Sequence, residues 1–233
     1  MRTISSRSFT FAAIALLAFG VSAAAQDKSS IAPLSAPEVR QLVASALPAD
    51  QLQLSAHFAA LADRYTAQAK IHTSMAQQPV GNASRNLNSG LSAHCKKLAE
   101  LNTEAVSTLR ELQNHYRQLA AGKASVGPVA GAGFEAGAGA AKPTEKDMVR
   151  LAASAKTPAD HQDLEAYFLA LSKDYTAATT EHTAMAQAYR GLPRSPNAGM
   201  AAHCDRLARL SGEAATEAAA AAGLHHEMVA GSR

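Results

Sequence analysis

The chain has 233 residues, with 22 Lys and Arg against 19 Asp and Glu, a formal charge of +3, nine His, two Cys and no Trp. So weak a charge bias excludes the electrostatic footprint of a nucleic-acid-binding protein. Two cysteines cannot build a disulfide-rich scaffold, and 14 Gly with 9 Pro are too few for a collagen-like or wholly disordered chain.

The N-terminus reads as an address. Arg2 and Arg7 give a basic start, an apolar run extends from Phe9 to Val21, and Ala23-Ala24-Ala25 before Gln26 supplies small residues for signal peptidase. This predicts a signal peptide over residues 1–25, which leaves 208 residues at a charge of +1. A retained membrane anchor is the competing reading, disfavoured because the run is short for a span. No cysteine follows the run for lipidation and no later segment is apolar enough to cross a bilayer. The expectation is a periplasmic or secreted protein with no membrane insertion after cleavage, in a compartment where thiols can oxidise.

The remaining chain matches itself at an offset of 110. Leu54, Phe58, Leu61, Tyr65, His72 and Met75 recur as Leu164, Phe168, Leu171, Tyr175, His182 and Met185. One residue is then lost, and Ala93-His94-Cys95 recurs as Ala202-His203-Cys204. The reading is two tandem homologous modules, 26–121 and 143–233, joined by a Gly/Ala-rich flexible linker over 122–142.

Each module reads as an antiparallel helical hairpin. Alanine fills 55 positions, and few β-branched or aromatic residues accompany it, which favours helix. Short helices are expected near 36–46 and 144–155. The long helices start at Pro48 and Pro158, where proline is tolerated in the first turn, with Asp50 and Asp160 placed favourably for the helix dipole. Leu54, Phe58, Leu61, Tyr65, Gln68, His72 and Met75 step by four and three residues, an unbroken apolar seam. This helix ends near Gln78, before Pro79, Gly81, Asn82 and Asn86; its counterpart ends near Tyr189, before Gly191, Pro193 and Pro196. The returning helix reads as a seam of Leu91, His94, Leu98, Leu101, Ala105, Leu109, Leu112, Tyr116 and Leu119. The expected fold class is all-α, with the two hairpins packed as a four-helix bundle and a short helix before each hairpin.

The hairpin register carries the chemistry. Residues that face each other across an antiparallel pair run in opposite directions, so pairing His72 with His94 also pairs Met75 with Leu91. Pairing His182 with His203 likewise pairs Met185 with Met200. His72, Met75, His94 and Cys95 are therefore expected in adjacent core layers near one loop, and His182, Met185, Met200, His203 and Cys204 near the other. Imidazole, thioether and thiolate suit copper first and zinc second. No carboxylate lies on the seam at this level, which disfavours Mg, Ca and Mn, and the Glu-rich di-iron pattern is missing.

Core packing is the competing reading for these His and Met residues. Cys95 and Cys204 have a rival use as well. With both loops at one end of the bundle they could form an inter-hairpin disulfide; with loops at opposite ends they are a helix length apart and cannot bridge. His225-His226-Glu227-Met228 reads as a terminal helix or a weaker metal site, His115 and His161 as surface residues, and Tyr65 and Tyr175 as core tyrosines. His57 has no counterpart, since Tyr167 takes its place. No His-Glu-x-x-His, Gly-x-Ser-x-Gly, phosphate-loop or Cys-x-x-Cys-His motif occurs. The functional expectation is thus a non-enzymatic metal carrier for sequestration or transfer, served by a metal ion or a metal-delivery partner. The alternative is a structural or stress-related interaction module with a disulfide and no metal.

Overall fold

Helix starts are set by local chemistry. Ser35 precedes α1 (Ala36–Ala44), and the Glu38 carboxylate accepts from its backbone N–H at 2.7 Å. Thr157 caps α5 (Pro158–Arg190): its hydroxyl accepts from the Asp160 N–H at 3.2 Å, and the Asp160 carboxylate accepts in return from the Thr157 N–H at 2.9 Å. This reciprocal box satisfies donors that a helix start leaves bare. Pro48 opens α2 (Pro48–Ala76), as Pro158 opens α5. The remaining helices are α3 (Arg85–Gly122), α4 (Glu145–Ser154) and α6 (Asn197–Ala230).

The computed structural model describes residues 33–45, 47–78, 85–122, 145–191 and 197–231, which form these six helices and no strand. The signal-peptide reading, the linker apart from Gly122, and both hairpin turns with Pro79, Gly81, Asn82, Pro193 and Pro196 lie outside the described residues. Asn86, expected in the first turn, lies within α3.

α2 packs on α3 and α5 on α6, giving two hairpins that meet chiefly through α3 and α6. Short helices α1 and α4 each lie against both α2 and α5. Within the hairpins, Ser92 Oγ donates to the Ala76 carbonyl at 2.7 Å and Ser172 Oγ to the Ala215 carbonyl at 2.9 Å. Across the hairpins, His94 meets Glu217, Arg206 meets Glu104 at 2.9 Å, and His203 meets Glu111. Numbers rise along α3 as they fall along α6, so the two hairpins run antiparallel with their loops at opposite ends.

Among the described residues, no Cα of α2 comes within 8 Å of one in α5. Large side chains span that gap instead. Tyr65 and Tyr175 face each other, Arg64 pairs with Asp174 at 3.1 Å, and the Tyr167 hydroxyl donates to Gln68 at 3.3 Å. Ala214, Ala218, Ala221 and Ala222 of α6 are buried, and α6 packs on both α5 and α3. Leu54, Phe58, Leu98, Leu109, Leu112, Leu164, Phe168 and Leu207 are fully buried, each stabilising the bundle by roughly 1.5–3 kcal/mol.

The seam of the returning helix differs from the sequence expectation. The buried line is Leu91, Cys95, Leu98, Asn102, Ala105, Leu109, Leu112 and Tyr116. It steps by four and three without a break, whereas the expected line through His94 and Leu101 needed two successive steps of four at Ala105. α6 repeats the pattern with Met200, Cys204, Leu207, Ser211, Ala214, Ala218, Ala221, His225 and Met228, all buried. Cysteine, not the histidine before it, is the core residue on both returning helices.

Candidate functional site

Two polar layers interrupt the apolar core, one toward each end. The first is built around His72, which sits one turn before Met75 near the end of α2. His72 is 0 % exposed, and neither ring nitrogen has a hydrogen-bond partner among the described residues. Burial pushes its pKa down to about 4, so the imidazole is neutral at pH 7. Its ring lies 6.0 Å from Phe168 and 6.4 Å from Tyr167. Met75 is buried beside it in sequence. The Ser92–Ala76 hydrogen bond sets the hairpin register and brings Cys95 level with His72. Cys95 is a buried free thiol whose pKa burial raises to about 12, and it lies near enough to Tyr167 to help hold that phenol protonated. Such a thiol is a poor nucleophile without an activating ion.

The second layer repeats these residue types. His182 is 3 % exposed, with Nδ1 unpartnered and its pKa pushed down to about 4 by burial. Met185, Met200 and the free thiol Cys204 are buried. Burial raises the Cys204 pKa to about 12, and the same thiol acts electrostatically on Tyr116 and Tyr189, whose hydroxyls share a hydrogen bond. A cavity of about 140 Å³ between α2 and α5 is lined in part by Arg64, Gln68, Glu181 and His182.

His94 and His203 do not join these layers. His94 Nδ1 lies 2.6 Å from a Glu217 carboxylate oxygen, and His203 Nδ1 lies 3.3 Å from Glu111. Both imidazoles are about one-third exposed, at 29 % and 33 %. A rotation of about 100° per residue points each histidine off the core when the next residue, cysteine, points in. Their place is a clasp between hairpins. The disulfide is also excluded. Cys204 is adjacent to His203, which meets Glu111, sixteen residues along α3 from Cys95. That separation is about 24 Å of helical rise, far beyond bridging distance.

Three histidines escaped the sequence reading. His161 and His225, expected at the surface and in a terminal helix, are both buried. The regular α6 seam continues through Ala221 to His225 and Met228, a signal visible once the phase through Cys204 is chosen. His57 is buried and accepts from the Leu34 N–H at 2.9 Å. Its lack of a counterpart hid it, although Tyr167 occupies the equivalent place beside His72. His115 also has a buried Nε2 without a partner.

Among the described residues, no three His, Cys, Asp or Glu side chains converge as a metal-binding group. The first end offers one imidazole, one thiol and one thioether; the second offers the same types with a second thioether, and there His57 acts on His182 and Glu181 lines the same cavity. No described helix is long and apolar enough to cross a membrane. No family model, curated protein or solved structure matches the chain.

Proposed function

We propose that this protein is a secreted, non-enzymatic copper carrier that takes Cu(I) into a buried layer at each end of its bundle. His72, Met75 and Cys95 serve one ion, and His182, Met185, Met200 and Cys204 serve the other. The observation that carries this reading is His72, a fully buried imidazole with two orphan nitrogens. An unsatisfied buried polar group costs about 1–3 kcal/mol, and leucine would fill the same seam position without that cost. Neutral imidazole, thioether and thiolate prefer Cu(I), which accepts few ligands; zinc comes second because it wants a closed tetrahedral set. The N-terminal signal pattern assigns this role to the periplasm or the outside of the cell.

A metal-free helical interaction module is the second reading. It is favoured by the ion pairs of His94 and His203, which occupy two residues otherwise available as ligands.

Native mass spectrometry of the cleaved chain, purified without chelator and titrated with Cu(I) under reductant, tests the proposal. Uptake of one ion that is lost in His72→Leu and of another that is lost in His182→Leu is the expected result. A folded protein that takes up no ion supports the interaction module instead.

A further inference from the structure

The far end of the α5/α6 hairpin holds a second kind of site. His161 lies in the first turn of α5 and His225 in the last turns of α6. Their Nδ1 atoms are 3.3 Å apart and their rings 5.5 Å apart at 29°. His161 is 6 % exposed and His225 is 2 % exposed. The other face of His225 stacks on Phe168 at 5.6 Å and 17°, and Phe168 in turn stacks on His72. Phe168 thus separates this pair from the His72 layer.

The separation of the two nitrogens is informative. At 3.3 Å it lies at the long end of a hydrogen bond between one protonated and one bare nitrogen. Two imidazole nitrogens bound at about 2.0–2.1 Å to one ion stand roughly 3.3–3.4 Å apart in a tetrahedral site and about 3.5–3.6 Å apart in a trigonal one. The pair lies within a few tenths of an ångström of either bite. Met228 follows His225 by three residues on the same face of α6 and is buried, so a thioether is available from the same helix. The neighbouring acids are committed elsewhere. Asp160 caps the helix start through the Lys156 and Thr157 N–H groups, and Glu165 pairs with His226 at 3.1 Å. The three donors are themselves neutral, with the Asp160 carboxylate acting on His161 from the helix start. The cost of burying an ion rises with the square of its charge, so a neutral donor set favours a monovalent ion of low coordination number over a divalent one.

We infer that His161 and His225 bind one Cu(I) ion through their Nδ1 atoms, with Met228 as the thioether donor. This inference does not rest on the His72 and His182 reading. The first hairpin has no such site, because Gln51 and Tyr116 stand at the equivalent positions. Those residues also define gentle variants. His161→Gln and His225→Tyr install side chains that the other end already accommodates, with Tyr116 stacked on Phe58 at 5.6 Å much as His225 is on Phe168.

The test is a Cu(I) titration of the full cleaved chain under reductant, followed by ¹⁵N NMR of the imidazole nitrogens, which this diamagnetic ion leaves observable. The expected result is that the Nδ1 signals of His161 and His225 shift together at one added equivalent. Either variant should abolish the paired shift and weaken binding of that equivalent by more than about tenfold. Shifts confined to His72 and His182 would overturn this inference and leave the copper-carrier proposal intact. Shifts confined to His161 and His225 would uphold the inference and overturn that proposal. A wild-type chain in which one of the two Nδ1 atoms keeps its proton at saturating copper has only a hydrogen-bonded pair, and the inference fails.

Discussion

Tyr65 and Tyr175 face each other across the gap between α2 and α5, with ring centroids 6.2 Å apart. They are the same position of the sequence repeat, and their hydroxyls are satisfied in the same manner. Tyr65 shares a hydrogen bond with Ser211 at 3.3 Å, and Tyr175 donates to Asn102 at 2.8 Å; Ser211 and Asn102 are themselves equivalent. An approximate twofold relation between the hairpins accounts for these pairings. It places the two polar layers at opposite ends and keeps their cysteines apart.

Free thiols are the first consequence. Titration of the denatured chain without reductant should find two thiols per molecule, and non-reducing electrophoresis should show no compact crosslinked form. A count of zero with an intramolecular bridge would require the hairpins to run parallel.

The orphan nitrogens of His72 make a second prediction. His72→Leu should raise the stability of the metal-free protein by about 1–3 kcal/mol, since it removes an unsatisfied polar group from the core. Phe168→Ala, by contrast, should lower it by about 3–5 kcal/mol through cavity formation. Urea unfolding followed by circular dichroism measures both. A strongly destabilised His72→Leu would show that the imidazole has a partner the bundle depends on.

Acid should unfold the protein earlier than its carboxylates alone would predict. Burial holds the pKa of His57, His72, His182 and His225 near 4, against about 6.5 in an unfolded chain. The unfolded state therefore binds more protons as pH falls. The stability these groups contribute is complete above pH 6.5 and is lost progressively toward pH 4. Each accounts for a loss of about 3 kcal/mol over that window, and four together match the whole stability of an ordinary domain. The urea midpoint should drop steeply between pH 7 and pH 4.5. A flat profile would mean that these imidazoles are solvated.

The clasp histidines should behave differently from the buried ones. His94→Ala removes an ion pair in which His94 is 29 % and Glu217 27 % exposed. It should cost under about 1 kcal/mol and leave copper uptake unchanged. Loss of an ion in this variant, with the fold intact, would return His94 to the ligand set.

The candidate layers were only half legible in advance. His72, Met75, His182 and Met185 lie on seams whose four-and-three spacing leaves one phase open, and all four are buried as expected. On the returning helices, His94-Cys95 and His203-Cys204 allow two phases. Leu101 and Asn102 deepen the ambiguity, because both are buried although only Asn102 continues the regular line. Tyr175 resolves it by donating to the Asn102 side-chain carbonyl, a contact between residues 73 positions apart that no local pattern carries.

Helical state, the division into hairpins and the inward face of α2 and α5 follow from the sequence alone, because each depends on neighbours within a turn or two. The direction in which one hairpin lies on the other depends on surfaces far apart in the chain, and a long Gly/Ala-rich connection permits either direction. Only the tertiary packing settled it, through the pairing of α6 with α3 and the meeting of Tyr65 with Tyr175. That packing sent the cysteines to opposite ends, turned His94 and His203 toward glutamates, and brought His161 to His225.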